Sequence, residues 1–373
     1  MSPSLLRHQS SLEGVIDFST EAPLGINERN DARRRFYRIV EHFGAGGAID
    51  SVPPQYEPPR LVRCTYEYVL SDESRDNFLR AFFRAMALSL TGQGNDHDLN
   101  DLDDLGSLFY GFASYLLDNF FLPMQGSAQG FVGTSDRLSR LRGACLVRDR
   151  HRCVITRRFD WTTADKRMRR DGDNARDDDG ALLLEDINGI DALEVAHILP
   201  HSLMKADAGR ELNSSKQAAL AILNMFDSGV VHLIDGTDID RPRNAITLTT
   251  FLHLLFGDFK VFFEPIPDQQ PHTYRIKSFY PRRLLQKLAF PITRTFYLTD
   301  NKSIDPPSPR LLAVHRAIAH ILRFSRAGEY IDKLLQDMDE EGIRADGSTE
   351  LDRMLRLGLG GWLNKPVHYG SSV

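Results

Sequence analysis

The chain has 373 residues, 42% hydrophobic and 26% charged, enough for a buried core spread over two or three domains. Its formal net charge of -5 excludes a uniformly basic protein that coats nucleic acid, while leaving room for a local basic patch. The three cysteines, Cys64, Cys145 and Cys153, form no CxxC pair, which excludes zinc ribbons and points to a reducing compartment rather than a disulfide scaffold.

Residues 1–30 lack clear periodicity and are expected to form a flexible arm. NERNDARRRFYRIVEHF then puts Phe36, Ile39, Val40 and Phe43 on one helical face. A breaker-rich loop, GAGGAIDSVPPQYEPP, separates it from SDESRDNFLRAFFRAMALSL, which opens with a Ser/Asp cap signal and carries an apolar stripe. LNDLDDLGSLFYGFASYLLDNFFL predicts another helix. Residues 31–125 thus predict a small helical domain, with Phe82, Phe83, Phe109, Tyr110, Tyr115, Phe120 and Phe121 as packing residues.

The character changes after the linker GSAQGFVGTSD. From Arg137 to Arg170 there are twelve Lys/Arg and three acids, and from Asp171 to Asp191 eight acids and one arginine. Such a like-charge run predicts a solvated acidic insertion loop at 171–191. CVIT predicts a short strand, and LEVAHILP a second one stopped by Pro200. NSSKQAALAILNMFD predicts a helix capped by Asn213 or Ser214, and GVVHLIDG a strand. NAITLTTFLHLLFGDF has Ile246, Leu248, Phe251, Leu252 and Leu255 at helix-compatible spacing, with Gly257 as its end. KVFFEPI and HTYRIKSF predict a hairpin. A domain over 135–300 and a C-terminal helical region over 301–373, one long helix or two broken ones, complete the expectation.

The stretch LEVAHILPHS places His197 at a strand end, and RNAITLTTFLHLLFGDF follows with Asn244 and His253 nine positions apart. Hydrolysing a phosphodiester needs a base for water, a cation for the charge on phosphate, and a group that fixes the base's tautomer. A strand-end histidine suits the first task, because an imidazole with a pKa of about 6.5 accepts a proton at neutral pH. A loop asparagine can fix neighbouring groups, and a helix histidine can bind a divalent ion. Taken singly, His197 reads first as a hydrogen-bonded strand-end histidine, and His253 as a satisfied core histidine.

Taken together, RLSRLRGACLVRDRHRCVITRRFD, LEVAHILPHSL and RPRNAITLTTFLHLLFGDFKVFFEP resemble the HNH endonuclease domain, in a branch common among fungal predicted proteins. The resemblance covers about residues 137–267. It implies an α+β fold, a ββα-metal core between helical N- and C-terminal regions. It implies His197 as the general base, Asn244 as the group that orients the base-bearing loop or sits near the metal, and His253 as a metal ligand. The implied activity is metal-dependent cutting of DNA, with magnesium as the first candidate ion.

The chain departs from the family pattern at two positions. Many nuclease members carry Asp or His just before the base, where this chain has Ala196. Many carry Asp or His four residues after the helix histidine, where it has Gly257. Asp258, about 140° round the helix from His253, is the candidate second ligand, and Glu194 an addition. His201 and His232 are further candidates, read first as structural or rim residues. Arg137, Arg140, Arg148, Arg152, Arg157 and Arg158 either contact phosphates or pair with the acidic loop.

Two other readings stay open. One is a scaffold that has lost its metal and turns over a small-molecule substrate with a histidine base. The other is a non-catalytic module that binds nucleic acid or protein. No apolar run reaches the roughly 18–20 residues of a bilayer span, and MSPSLLRHQSSLEG lacks the apolar stretch of a secretory signal. An intracellular protein, cytoplasmic or nuclear and with no membrane partner, is expected; oligomeric state is not encoded in any visible motif.

Overall fold

The computed structural model describes residues 21–45, 56–90, 102–126, 135–204, 212–280, 290–299, 303–340, 351–360 and 362. Contacts divide the chain into two units. One holds Met1–Ser127, Lys205–His232 and His320–Val373; the other holds Ala128–Met204 and Leu233–Ala319.

The first unit is helical. It contains α1 (Ile26–Ala45), α2 (Pro58–Glu67), α3 (Asp72–Ala85) and α4 (Gly106–Leu116), which runs through a π-turn into α5 (Leu122–Gly126), together with α8 (Ser214–Phe226). Ser71 caps α3 by accepting from the Ser74 amide, as the Ser/Asp signal implies. Aromatic faces meet in its core: Phe36 lies edge-on to Phe82 at 4.9 Å, and Phe43 stacks on Phe109 at 4.5 Å. Of the aromatic stripe, Tyr110 alone is exposed among the described residues. α1 begins at Ile26, inside the stretch expected to be a loose arm, because buried Asp76 takes Arg29 and the Leu24 amide. Residues 1–20 lie outside the described residues.

In the second unit, β1 (Phe159–Asp160) and β2 (Ile190–Asp191) form a short parallel pair, and β3 (Leu193–His197) and β4 (Ala245–Thr249) are antiparallel, with Leu193 opposite Thr249 and His197 opposite Ala245. α9 (Thr250–Gly257) leaves the end of β4 directly, so the three elements form a ββα unit. Every residue of β4 is buried, because α6 (Ser135–Arg148) and α9 both pack on the strand pair. Leu141 and Cys145 of α6 cluster with Val195 and Ala245, which assigns that face to α6. Alternation then puts Glu194 and Ala196 on the opposite face. β5 (Val261–Pro265), β6 (Thr273–Ser278) and β7 (Ile292–Thr295) make a separate antiparallel sheet, so the predicted hairpin is present. With its helices and short sheets the chain is α+β.

Several local expectations are corrected. CVIT is a buried turn rather than a strand, closed by Cys153 N–H to Arg158 O and Arg157 N–H to Cys153 O. VVHL (Val230–Leu233) forms a 3-10 turn rather than a strand, with Val230 N–H bonded back to the Asp227 carbonyl. The segment 245–249 is strand rather than helix; β-branched Ile246, Thr247 and Thr249 fit a strand buried on both faces. The acidic stretch is folded. α7 (Trp161–Asp171) enters it from an Asp160 cap, and Phe159, Ala164, Ala175 and Leu183 make a small core of their own. At the C-terminal end the helix is broken into α10 (Pro309–Phe324) and α11 (Ala327–Glu340), with Arg326 at φ 61° between them. No described helix is long and apolar enough to cross a membrane.

Candidate active site

The centre of the site is a buried amide. Asn244 is fully buried just ahead of β4, and its Oδ1 accepts from the Leu199 N–H at 3.0 Å. Its Nδ2 donates to the Leu199 and Ile239 carbonyls at 3.0 and 2.9 Å. The Asn244 carbonyl also accepts from the Ile198 amide at 2.8 Å. One side chain therefore ties the segment leaving β3 to the 3-10 turn Gly236–Asp240. Arg148 fixes the same segment from α6, donating to the carbonyls of Pro242 and Ala245 on either side of Asn244.

That clamp sets Asp240 against two imidazoles. Asp240 Oδ1 lies 3.1 Å from His197 Nε2 and 2.9 Å from His201 Nδ1. Burial opposes ionisation of Asp240, but the hydrogen bonds from His197 and His201 outweigh it and hold the carboxyl well below the usual carboxylate range. An ionised carboxylate only accepts, so His197 carries its hydrogen on Nε2 and His201 on Nδ1. In that tautomer Nδ1 is the nitrogen of His197 that carries the lone pair. The side chains of His197 and His201 are 15% and 24% exposed, so solvent reaches the group.

His253 is elsewhere, on the α9 face of β3. Its Nδ1 donates to Glu194 Oε2 at 2.6 Å, and Thr250 donates to Glu194 Oε1 at 3.1 Å. A carboxylate on Nδ1 fixes the tautomer and the orientation of the ring. Asp258 lies 3.5 Å from Lys260 Nζ, and the group of three described residues that could jointly hold a metal is His197, His201 and Asp240. His232 is exposed and falls in the other unit.

The arginines separate into two groups. Arg148 is 1% exposed, bonded through two nitrogens to Asp149, and Arg152 is 7% exposed between Asp177 and Asp186. Neither side chain can reach a phosphate, which corrects their reading as nucleic-acid contacts. Arg157 donates to the Thr295 carbonyl and lies 4.2 Å over the Tyr297 ring, and exposed Arg158 pairs with Asp191 at 2.6 Å. Arg137 and Arg140 are exposed on α6.

In the sequence Asp240 has no prominence and His201 reads as a structural or rim residue, whereas the structure sets both beside His197. The available signals were the four-residue step from His197 to His201 and the four-residue step from Asp240 to Asn244. Residues 153–264 match the family model described as HNH endonuclease. No curated protein and no solved structure matches the chain.

Proposed function

The chain carries an HNH endonuclease domain at residues 153–264, and on that premise we propose that it is a metal-dependent endonuclease hydrolysing phosphodiester bonds in DNA. The observation that carries this reading is the hydrogen bond from His197 Nε2 to Asp240. It fixes the tautomer in which Nδ1 takes a proton from the attacking water, and it stabilises the imidazolium that results. Asn244 is the positioning residue that holds Asp240 in place. His253, oriented by Glu194, is the ligand we assign to the divalent ion, and waters and phosphate oxygens would complete the shell. An imidazole ligand favours a transition-type dication over magnesium, which prefers oxygen donors. When bound, the ion supplies charge stabilisation at the phosphate and the leaving oxygen.

His197 and Glu194 lie on opposite faces of β3, so we place the scissile phosphate across the strand's end. Exposed Arg137 and Arg140 contact the DNA backbone in this reading, without reading bases. The test is nicking of supercoiled plasmid in magnesium, manganese or nickel beside His197→Ala. Metal-dependent nicking that disappears in the variant supports the reading. Folded protein that leaves plasmid intact in every metal overturns it.

A further inference from the structure

We infer that His197, His201 and Asp240 form a binding site for one transition-metal dication of the zinc class, separate from the ion used in cutting. The three side chains offer two nitrogens and one oxygen, all within 4.8 Å of one another. Tetrahedral zinc, with bonds of about 2.1 Å, spaces its ligand atoms about 3.4 Å apart. The observed separations from Asp240 Oδ1, 3.1 and 2.9 Å, need to open by only a few tenths of an ångström. Two imidazoles with one carboxylate suit zinc, nickel or cobalt and are poor ligands for magnesium or calcium.

The scaffold is already built. Three amide hydrogen bonds from Asn244 hold the turn bearing Asp240 to the segment between the histidines. Buried Ser202 and Leu203 seat the short 3-10 turn that carries His201. The partial exposure of both histidines gives an ion entry and leaves a fourth position for water.

Binding also moves protons. The ion needs lone pairs on His197 Nε2 and His201 Nδ1, so each ring shifts its hydrogen to its other nitrogen and none is released. His197 Nδ1 then carries the hydrogen and cannot accept one from water. Zinc at this site therefore stops cutting; that consequence rests on the nuclease reading, whereas the binding does not.

The test is titration of the metal-stripped full chain with zinc by calorimetry, without DNA, alongside His201→Gln, Asp240→Asn and His253→Ala. Without DNA phosphate the single imidazole of His253 holds an ion only weakly, so one tight equivalent is expected for wild type and His253→Ala, and none for the other two variants. Cobalt added to wild type should give the visible absorption bands of a low-symmetry nitrogen and oxygen site, a readout that needs no variant. Absence of stoichiometric binding overturns the site. So does binding that survives His201→Gln and Asp240→Asn but is lost in His253→Ala. If plasmid nicking is established, one equivalent of zinc should suppress it, and undiminished nicking with zinc bound overturns the inhibitory consequence.

Discussion

The amide of Asn244 donates to the Ile239 carbonyl at 2.9 Å, one residue before the carboxylate that faces His197. A fully buried asparagine thus sets the distance between a strand-end histidine and a carboxylate forty-three positions away in the chain. Asn244→Ala leaves the Leu199 amide and the Leu199 and Ile239 carbonyls without this partner. The expected cost is about 2–4 kcal/mol, since unsatisfied buried polar groups cost about 1–3 kcal/mol each and the site relaxes in part. Urea unfolding measures it; a loss under about half a kcal/mol would show that the clamp is not holding the turn.

Asp240→Asn keeps the shape of the side chain and removes its charge. His197 then faces an amide that can donate as well as accept, so its tautomer is no longer fixed and the charge that stabilises its protonated form is gone. Nicking should fall by about 10²- to 10⁴-fold, the usual range for general base catalysis, with the melting behaviour little changed. Unaltered turnover would exclude Asp240 from the reaction.

Glu194→Gln addresses the other histidine. A partner that orients a metal-binding imidazole typically contributes about 10- to 100-fold in metal affinity. The metal concentration for half-maximal nicking should rise by that factor while the maximal rate at saturating metal is largely retained. A fall in maximal rate with no shift along the metal axis would place Glu194 in a different role.

Arg148 and the pair Arg137 and Arg140 should behave in opposite ways. Arg148→Met leaves Asp149 charged and buried, and such broken pairs cost about 3–5 kcal/mol; both side chains are fully buried here. Arg137→Ala with Arg140→Ala should leave stability within about half a kcal/mol and weaken DNA binding in a salt-dependent way. Denaturant melts and binding isotherms at two salt concentrations separate the cases. Equal stability losses for the two variants would contradict the burial pattern.

His315 makes the fold acid-sensitive. It is fully buried on α10, stacked on Phe256 at 3.9 Å, and donates through Nε2 to the Phe256 carbonyl. Burial pushes its pKa down to about 3, with the bond to Phe256 acting weakly the other way. An unfolded histidine titrates at about 6.5, so between these values the unfolded chain binds more protons. The contribution is full above about 6.5 and is lost as pH falls toward about 3, by up to roughly 1.4 kcal/mol per pH unit. His315→Phe should be less stable at neutral pH yet lose less on acidification. Parallel stability curves for the two proteins from neutral to mildly acidic pH would sink the assignment.

Much of the helical part was legible because it rests on local signals. The Ser71 cap, the Asn213 cap of the helix at Ser214–Phe226 and the apolar stripes at Phe36 and Phe82 each act within a few residues of themselves. The strand β4 was not legible. Its alternating Ile246 and Leu248 also fit a helical spacing, and only burial on both faces by α6 and α9 selects the extended form. CVIT has β-prone residues, but backbone bonds between residues 153 and 158 close it into a turn before any strand can form. The arginine-rich segment shows the same limit. Sequence cannot distinguish Arg148 and Arg152, which are buried in ion pairs, from Arg137 and Arg140, which face solvent.

The sequence by itself determined the order of parts: a helical region, a strand ending at His197, and Asn244 ahead of a helix bearing His253. Each of those features depends on residue type and short-range spacing, which the chain displays directly. Only the tertiary structure decided that His197 faces Asp240 and His201, and that His253 turns to Glu194 on the far side of the same strand. Those pairings depend on strand register, on side-chain alternation across β3 and on three hydrogen bonds from one buried amide. They are long-range relations, fixed only when the chain has folded and the polar groups of Asn244 have lost water as an alternative partner.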